Sequence, residues 1–169
     1  MTIYFIQIVL QEVYMPCRKL LDYLDTHHVQ YKCLSHPTSY TAQKTAHMAH
    51  VSGKEMVKTL IVKINGELKM AVIPANQMLN MRLLKNLYST EDVELARESE
   101  FAELFSDCEL GAMPPFGNLY GIEEFVSEEL TKDEEIAFNA GTHTEVIKMK
   151  YNDFERLVKP RILNFKIEL

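Results

Sequence analysis

The stretch Val57-Lys58-Thr59-Leu60-Ile61-Val62-Lys63-Ile64-Asn65-Gly66-Glu67-Leu68-Lys69-Met70-Ala71-Val72-Ile73-Pro74 decides the fold. Two apolar, largely alternating runs flank Asn65-Gly66, a pair that tolerates positive φ and reverses a chain within two residues, so the stretch is predicted to be a β-hairpin. Strand side chains alternate with period two, which puts Lys58 on the same face as Met56, Leu60, Val62 and Ile64. An ammonium group turned toward an apolar layer is costly unless an anion or a strong hydrogen-bond acceptor meets it, and that cost marks Lys58 as a functional candidate. The alternative is a lysine near a strand's start that lays its stem along apolar surface and keeps its charged head in water.

Around the hairpin the pattern alternates between helix and strand. Met15-Pro16 opens an amphipathic helix carrying Leu20, Leu21 and Leu24, with Pro16 suited to the first turn. Residues 31–36 are expected to form a strand ended by the turn-prone His36-Pro37-Thr38-Ser39. A short helix near residues 41–50 follows, with Thr41 as a possible N-cap. Beyond the hairpin, residues 77–87 form a helix and acidic helical stretches continue through residues 90–105. Gly111-Ala112-Met113-Pro114-Pro115-Phe116-Gly117 is a loop stiffened by two prolines, which remove two amide donors. Residues 119–124, 135–139 and 145–150 are expected as strands, and a last helix capped near Asn152 ends before Pro160. Interspersed helices and strands without βαβ repetition predict a mixed α/β fold, a mixed sheet flanked by helices.

Composition narrows the function. A chain of 169 residues with 47% hydrophobic and 25% charged residues suits one globular domain. Its formal charge of −6 excludes the broad basic surface of a promiscuous nucleic-acid binder, while leaving room for a local basic patch. The three cysteines, Cys17, Cys33 and Cys108, are far apart in sequence and form no CxxC pair, which disfavours a disulfide framework or a cysteine-rich zinc site and suits a reducing cytoplasm. Histidines 27, 28, 36, 47 and 50 form no HExxH pattern, so a metal enzyme is the weaker reading. The first 14 residues are apolar but lack the basic flank and cleavage pattern of a signal peptide and fall short of a membrane span. They are taken as an extension, with the functional domain over residues 15–169.

Lys58 after a small helix, the Gly111-x-x-x-Pro115 loop running into Phe116-Gly117, and Asn139-Ala140-Gly141-Thr142-His143 before a strand together resemble the YbaK family. This family includes the editing domain inserted into bacterial prolyl-tRNA synthetases and its free-standing relatives, and the similarity spans roughly residues 16–160. The resemblance implies a compact α/β domain with a curved, barrel-like mixed sheet. It also implies hydrolysis of the ester of a mischarged aminoacyl-tRNA. Lys58 matches the family's essential lysine, Gly111 the glycine close to the aminoacyl group, and Gly141 and His143, more loosely, its third site element. Lys58, Gly111 and His143 are therefore the expected catalytic residues. Thr38, Thr41, Ala112, Met113, Pro114, Pro115, Phe116, Gly141 and Thr142 are expected to shape the pocket. Arg82 and Lys85, one helical turn apart, are candidates for contact with tRNA phosphates. No cofactor, metal or membrane is implied. The expected partner is the acceptor end of a mischarged aminoacyl-tRNA, with a synthetase or elongation factor left open as a further one. An aminoacyl ester is already activated, so positioning of carbonyl, water and terminal adenosine can supply much of the acceleration, and the chain shows no Ser-His-Asp or Cys-His pattern. A tRNA- or synthetase-binding module of the same fold is the alternative.

Overall fold

The computed structural model describes residues 17–167. The extension over residues 1–14 and the helix start at Met15-Pro16 lie outside the described residues. The hairpin is where the sequence places it: β2 (Val57–Ile64) and β3 (Glu67–Pro74) pair antiparallel from Val57↔Pro74 to Ile64↔Glu67. Asn65 and Gly66 turn the chain at φ 50° and 81°. Both faces of this hairpin are covered. Val57, Ile61, Met70 and Val72 join a core with Leu20, Leu24, Phe105, Phe116, Phe138 and Phe154. Val62, Ile64, Ala71 and Ile73 pack on the other side with Leu84, Phe125 and Phe165. Leu60 lies at the edge of this second layer, whereas Met56 belongs to a third cluster with Ala46, Ala75 and Ala137.

The helices that flank the hairpin are set by local signals. The first, α1 (Arg18–Thr26), buries Leu20 and Leu24. It leads into β1 (Tyr31–Ser35) and α2 (Ala42–Met48), where Thr41 is the N-cap and its hydroxyl accepts from Lys44 N at 3.2 Å. Helix α3 (Met81–Tyr88) starts later than expected because Asn80 caps it, its side-chain oxygen accepting from Leu83 N at 3.1 Å. Next come β6 (Glu135–Asn139) and β7 (Glu145–Lys150), which match the expected strands, and α5 (Tyr151–Val158). That last helix ends before Pro160 as expected, with Lys159 as its C-cap at φ 51°, but Lys150 stands at its N-cap without a side-chain hydrogen bond, so the cap expected near Asn152 is not made.

Two segments differ from expectation, and tertiary contacts explain both. The acidic stretch after α3 holds strand β4 (Val93–Leu95) and only one short helical turn, α4 (Glu98–Phe101). Strand β4 adds to the edge of β2, and its Glu94 lies directly opposite Lys63, whose ammonium also reaches Glu100, each at 2.6 Å. The segment expected as a strand over residues 119–124 is instead a 3₁₀ turn, Gly117–Leu119, and a fold-back, with β5 running Glu124–Ser127. Tyr120 N and Ile122 N both donate to Gly117 O, and Glu124, fully buried, accepts from Gly117 N at 2.6 Å. Those local bonds consume the groups a strand ladder would need.

The strands form two sheets. A three-stranded antiparallel sheet has the order β1-β7-β6, and a five-stranded mixed sheet has the order β4-β2-β3-β5-β8, where β8 is Arg161–Leu163. Pairing of β3 with β5 and of β5 with β8 is parallel. The two sheets touch at one parallel bridge, Met56↔Ala137. The expected curved, barrel-like sheet is thus corrected to two open sheets joined at one point. No further bridge joins β2 to β6 among the described residues, and residues of both strands line a cavity beside this junction.

Candidate active site

Beyond the Met56↔Ala137 bridge lies a cavity of about 420 Å³. Its walls are Tyr40 through Gln43 at the start of α2, Val57 through Leu60 of β2, Ala75 after β3, Gly111 and Met113 of the proline loop, and Asn139 at the end of β6. No Asp or Glu lines it.

Lys58 is the one cationic residue in this wall, half-buried, and no carboxylate pairs with it among the described residues. By contrast Lys63, Lys69, Lys85, Lys132, Lys148 and Lys166 all reach carboxylates within 4.0 Å. Burial pulls the Lys58 ammonium below the ordinary lysine range, with no neighbouring charge to offset it. A cation that gains nothing from the fold is available to a ligand.

The proline loop presents Gly111 and Met113 to the cavity and anchors itself behind. Gly111 sits at φ 84°, and its N–H meets only the Met113 thioether at 3.2 Å, a weak acceptor. Ala112, Pro114, Pro115 and Phe116 are buried. Ala112 N donates to Glu109 O at 3.0 Å and Ala112 O accepts from Gly141 N at 2.9 Å, so its backbone is already committed. The Phe116 ring packs against Phe138 and Phe154, each centroid 5.6 Å away. These residues support the loop rather than line the cavity.

His143 clamps two loops. Its Nε2 lies 2.9 Å from Leu110 O and its Nδ1 lies 3.2 Å from Ser39 O, while its backbone N–H donates to Glu109 Oε2 at 2.6 Å. A Cβ added to Gly111 would touch the His143 ring at 3.4 Å, so the ring lies directly against this glycine. His143 is outside the cavity lining. Gly141 is likewise structural: φ is 90°, and a Cβ there would lie 2.6 Å from Cys17 Cβ. The Thr142 hydroxyl bonds Glu145 at 3.2 Å. Thr38 is exposed and lies outside the lining, as do Arg82 and Lys85, the latter paired with Glu91 at 2.9 Å. Thr41, Lys58, Gly111 and Met113 are therefore the anticipated residues that the fold brings into one cavity wall. Tyr40, Gln43, Thr59 and Asn139 join them without having been anticipated, although Asn139 stands in the motif that carries the resemblance.

Behind the proline loop two of the three cysteines come together. Cys17 Sγ donates to Asp107 Oδ2 at 3.1 Å, the Tyr120 hydroxyl donates to Asp107 at 3.1 Å, and Cys108 Sγ lies 3.3 Å from that hydroxyl. Burial pushes the Tyr120 phenol up, and hydrogen bonding with Cys17 together with burial pushes the Cys108 thiol up, so both keep their protons. Cys17, Asp107 and Cys108 form the one group of three metal-capable side chains among the described residues. Their mutual hydrogen bonds tie the start of α1 to the segment that leads into the proline loop.

The cavity thus offers an oxygen-rich ligand a lysine that no described carboxylate pairs and a glycine N–H that meets only a thioether. The chain belongs to the aminoacyl-tRNA editing domain family, whose model matches residues 36–157. It is 24% identical over 155 residues to the multifunctional Ser/Thr-tRNA deacylase ProXp-y of Escherichia coli K12, covering 88% of this chain and 92% of that protein. It is also 37% identical over 79 residues to the proline–tRNA ligase of Staphylococcus epidermidis, covering 47% of this chain and 14% of the ligase. A crystal structure described as a candidate trans-editing enzyme for prolyl-tRNA synthetase shares the fold, with TM-score 0.77 and 18% identity over 90% of this chain and 97% of that one.

Proposed function

We propose that this protein hydrolyses the ester linking a wrong amino acid to the 3′ end of tRNA, acting on the released aminoacyl-tRNA. The observation that carries the reading is Lys58, a half-buried ammonium in the cavity wall with no counter-ion among the described residues. In a partly dry site such a cation makes a strong charge-assisted contact with a phosphate or carbonyl oxygen of the tRNA end. The Gly111 N–H, held only by a thioether, supplies a second donor where the ester oxygen gains charge. Glycine has no side chain there to hold the ester away. Water is the nucleophile, and the cavity's task is to fix the carbonyl relative to it. His143 acts through position, keeping the Gly111 loop and the Ser39 loop at a fixed separation.

Seryl- and threonyl-tRNA are the first esters to test, because the Escherichia coli relative is named for them. Alanyl- and cysteinyl-tRNA complete the panel. Lys58→Ala is expected to lower release of amino acid by roughly a hundredfold or more, the scale of losing a preorganised electrostatic donor, with circular dichroism unchanged. Near-wild-type turnover in that variant would refute the role of Lys58. Tight binding of aminoacyl-tRNA by the wild type without release would mark a binding module instead.

A further inference from the structure

Tyr40 is the one aromatic residue in the cavity lining among the described residues, and it is 75% exposed. Exposure alone carries nothing, because single apolar side chains on a surface are ordinary. What sets Tyr40 apart is how firmly it is held. Ser39 before it meets His143 twice: Ser39 N donates to His143 O at 3.0 Å, and Ser39 O faces His143 Nδ1 at 3.2 Å. Thr41 after it caps α2. The Tyr40 ring rests against the His143 imidazole, with centroids 4.8 Å apart and planes tilted by 56°. The ring is thus supported from the His143 side while most of its surface stays open to a ligand.

The same imidazole sets the place of Tyr40 relative to Gly111. A Cβ on Gly111 would meet the His143 ring at 3.4 Å, and Tyr40 packs on that ring too, so Gly111 and Tyr40 lie no farther apart than one five-membered ring can bridge. In an aminoacyl-tRNA one five-membered ring, the terminal ribose, separates the ester from the adenine. With the ester oxygen at the Gly111 N–H, the adenine falls within reach of Tyr40. The cavity volume of about 420 Å³ is in the range that takes a drug-sized ligand, more than a seryl or alanyl group fills. The remaining space suits the nucleoside that carries the ester.

Resting on the editing reading, we infer that the Tyr40 ring stacks on the terminal adenine of the tRNA and so positions the ester at Gly111 and Lys58. The chemistry supports this division. Stacking on an aromatic ring uses the π face of the base and needs no hydrogen-bonding partner at its edges. It also supplies affinity that does not depend on charge, which matters in a chain of formal charge −6 with one cation in the cavity wall. Every tRNA ends in the same adenosine, so the contact serves all aminoacyl esters alike and leaves the choice among amino acids to other wall residues.

The test uses short RNA hairpins ending in CCA that carry a hydrolysis-resistant 3′-seryl or 3′-alanyl amide, and the same hairpins with an abasic terminal ribose. Dissociation constants are measured for wild type, Tyr40→Leu and Tyr40→Phe, together with kcat/KM on the corresponding esters. Wild type is expected to prefer the adenine form by roughly ten- to a hundredfold, the scale of one base on one aromatic ring. Tyr40→Leu loses most of that preference, by the same factor for both amides, and binds the abasic hairpins as wild type does; kcat/KM on the adenine esters falls in step. Tyr40→Phe, which keeps the ring, recovers most of the loss. Equal weakening of adenine and abasic hairpins in Tyr40→Leu would make Tyr40 a prop for His143 and overturn the inference. So would a wild type indifferent to the base, or a Tyr40→Phe protein that behaves like Tyr40→Leu. An adenine preference that depends on Tyr40, with no amino acid released from any ester, would sink the editing reading and keep the stacking contact. Release without that preference would do the reverse.

Discussion

Replacing Gly141 by alanine tests whether the site is held from behind. The residue has φ 90°, a conformation that costs an L-residue about 1–2 kcal/mol. The new methyl would also lie 2.6 Å from Cys17 Cβ, 3.2 Å from Cys17 N and 3.3 Å from Cys17 Cα. None of these is the far end of a flexible side chain, so the start of α1 must move, an overpacking cost of about 1–3 kcal/mol. The sum, roughly 2–5 kcal/mol, is a large share of the 5–15 kcal/mol that stabilises a typical domain. The chain has no Trp, so urea unfolding followed by far-ultraviolet circular dichroism is the suitable assay. Adding Cys17→Gly removes the atom of closest contact but leaves the φ strain. The double variant should therefore be more stable than the two single changes sum to, by about 1 kcal/mol or more. Gly141 also bridges the proline loop through Gly141 N to Ala112 O at 2.9 Å and Glu109 N to Gly141 O at 2.8 Å, so turnover should fall with stability. A Gly141→Ala protein within about 0.5 kcal/mol of wild type, or strictly additive changes, would refute the argument.

Gly66→Ala is the contrasting case: φ is 81° but no atom lies within 4 Å of the added Cβ, so the loss should be only about 1 kcal/mol in the same urea assay, with turnover kept. Lys58→Met should match or exceed wild-type stability while losing activity, because burial already disfavours the ammonium; a clear drop in midpoint would reveal a structural partner for Lys58. Burial raises the Glu124 carboxyl well above its ordinary 4.5. Its contribution to stability is then complete below that value and is lost as pH rises through the folded-state pKa, so a denaturation midpoint that falls with rising pH is expected. Glu124→Gln, which can still accept from Gly117 N, should flatten that profile, and an unchanged slope would clear Glu124 of the effect.

Where a segment's partners are adjacent in the chain, the sequence was sufficient. Asn65-Gly66 between apolar runs specified the central hairpin, residue for residue. The Thr41 cap was legible because its acceptor role is exercised three residues away, at Lys44. The stretch around Glu94, expected as helix, is a strand because its partner, Lys63, stands on another strand, while Glu100 keeps a helical turn. The strand expected at residues 119–124 failed for a similar reason, since a buried Glu124 and the Gly117 amide close on each other.

The site divides along the same line. Resemblance to the YbaK family singled out Gly111 and His143, and alternation along β2 by itself marked Lys58 as costly where it stands. Only tertiary structure showed that Lys58 has no carboxylate partner among the described residues while other lysines do, and that His143 faces two backbone carbonyls rather than the cavity. It alone brought Cys17 to Asp107 across 90 positions and left Asn139 unmatched in the cavity wall. Local propensity and side-chain periodicity are written in neighbouring residues, so the sequence by itself determined the hairpin, the cap and the candidate cation. Charge pairing, burial and hydrogen-bond satisfaction depend on groups brought from distant strands and loops, and those were decided by the fold.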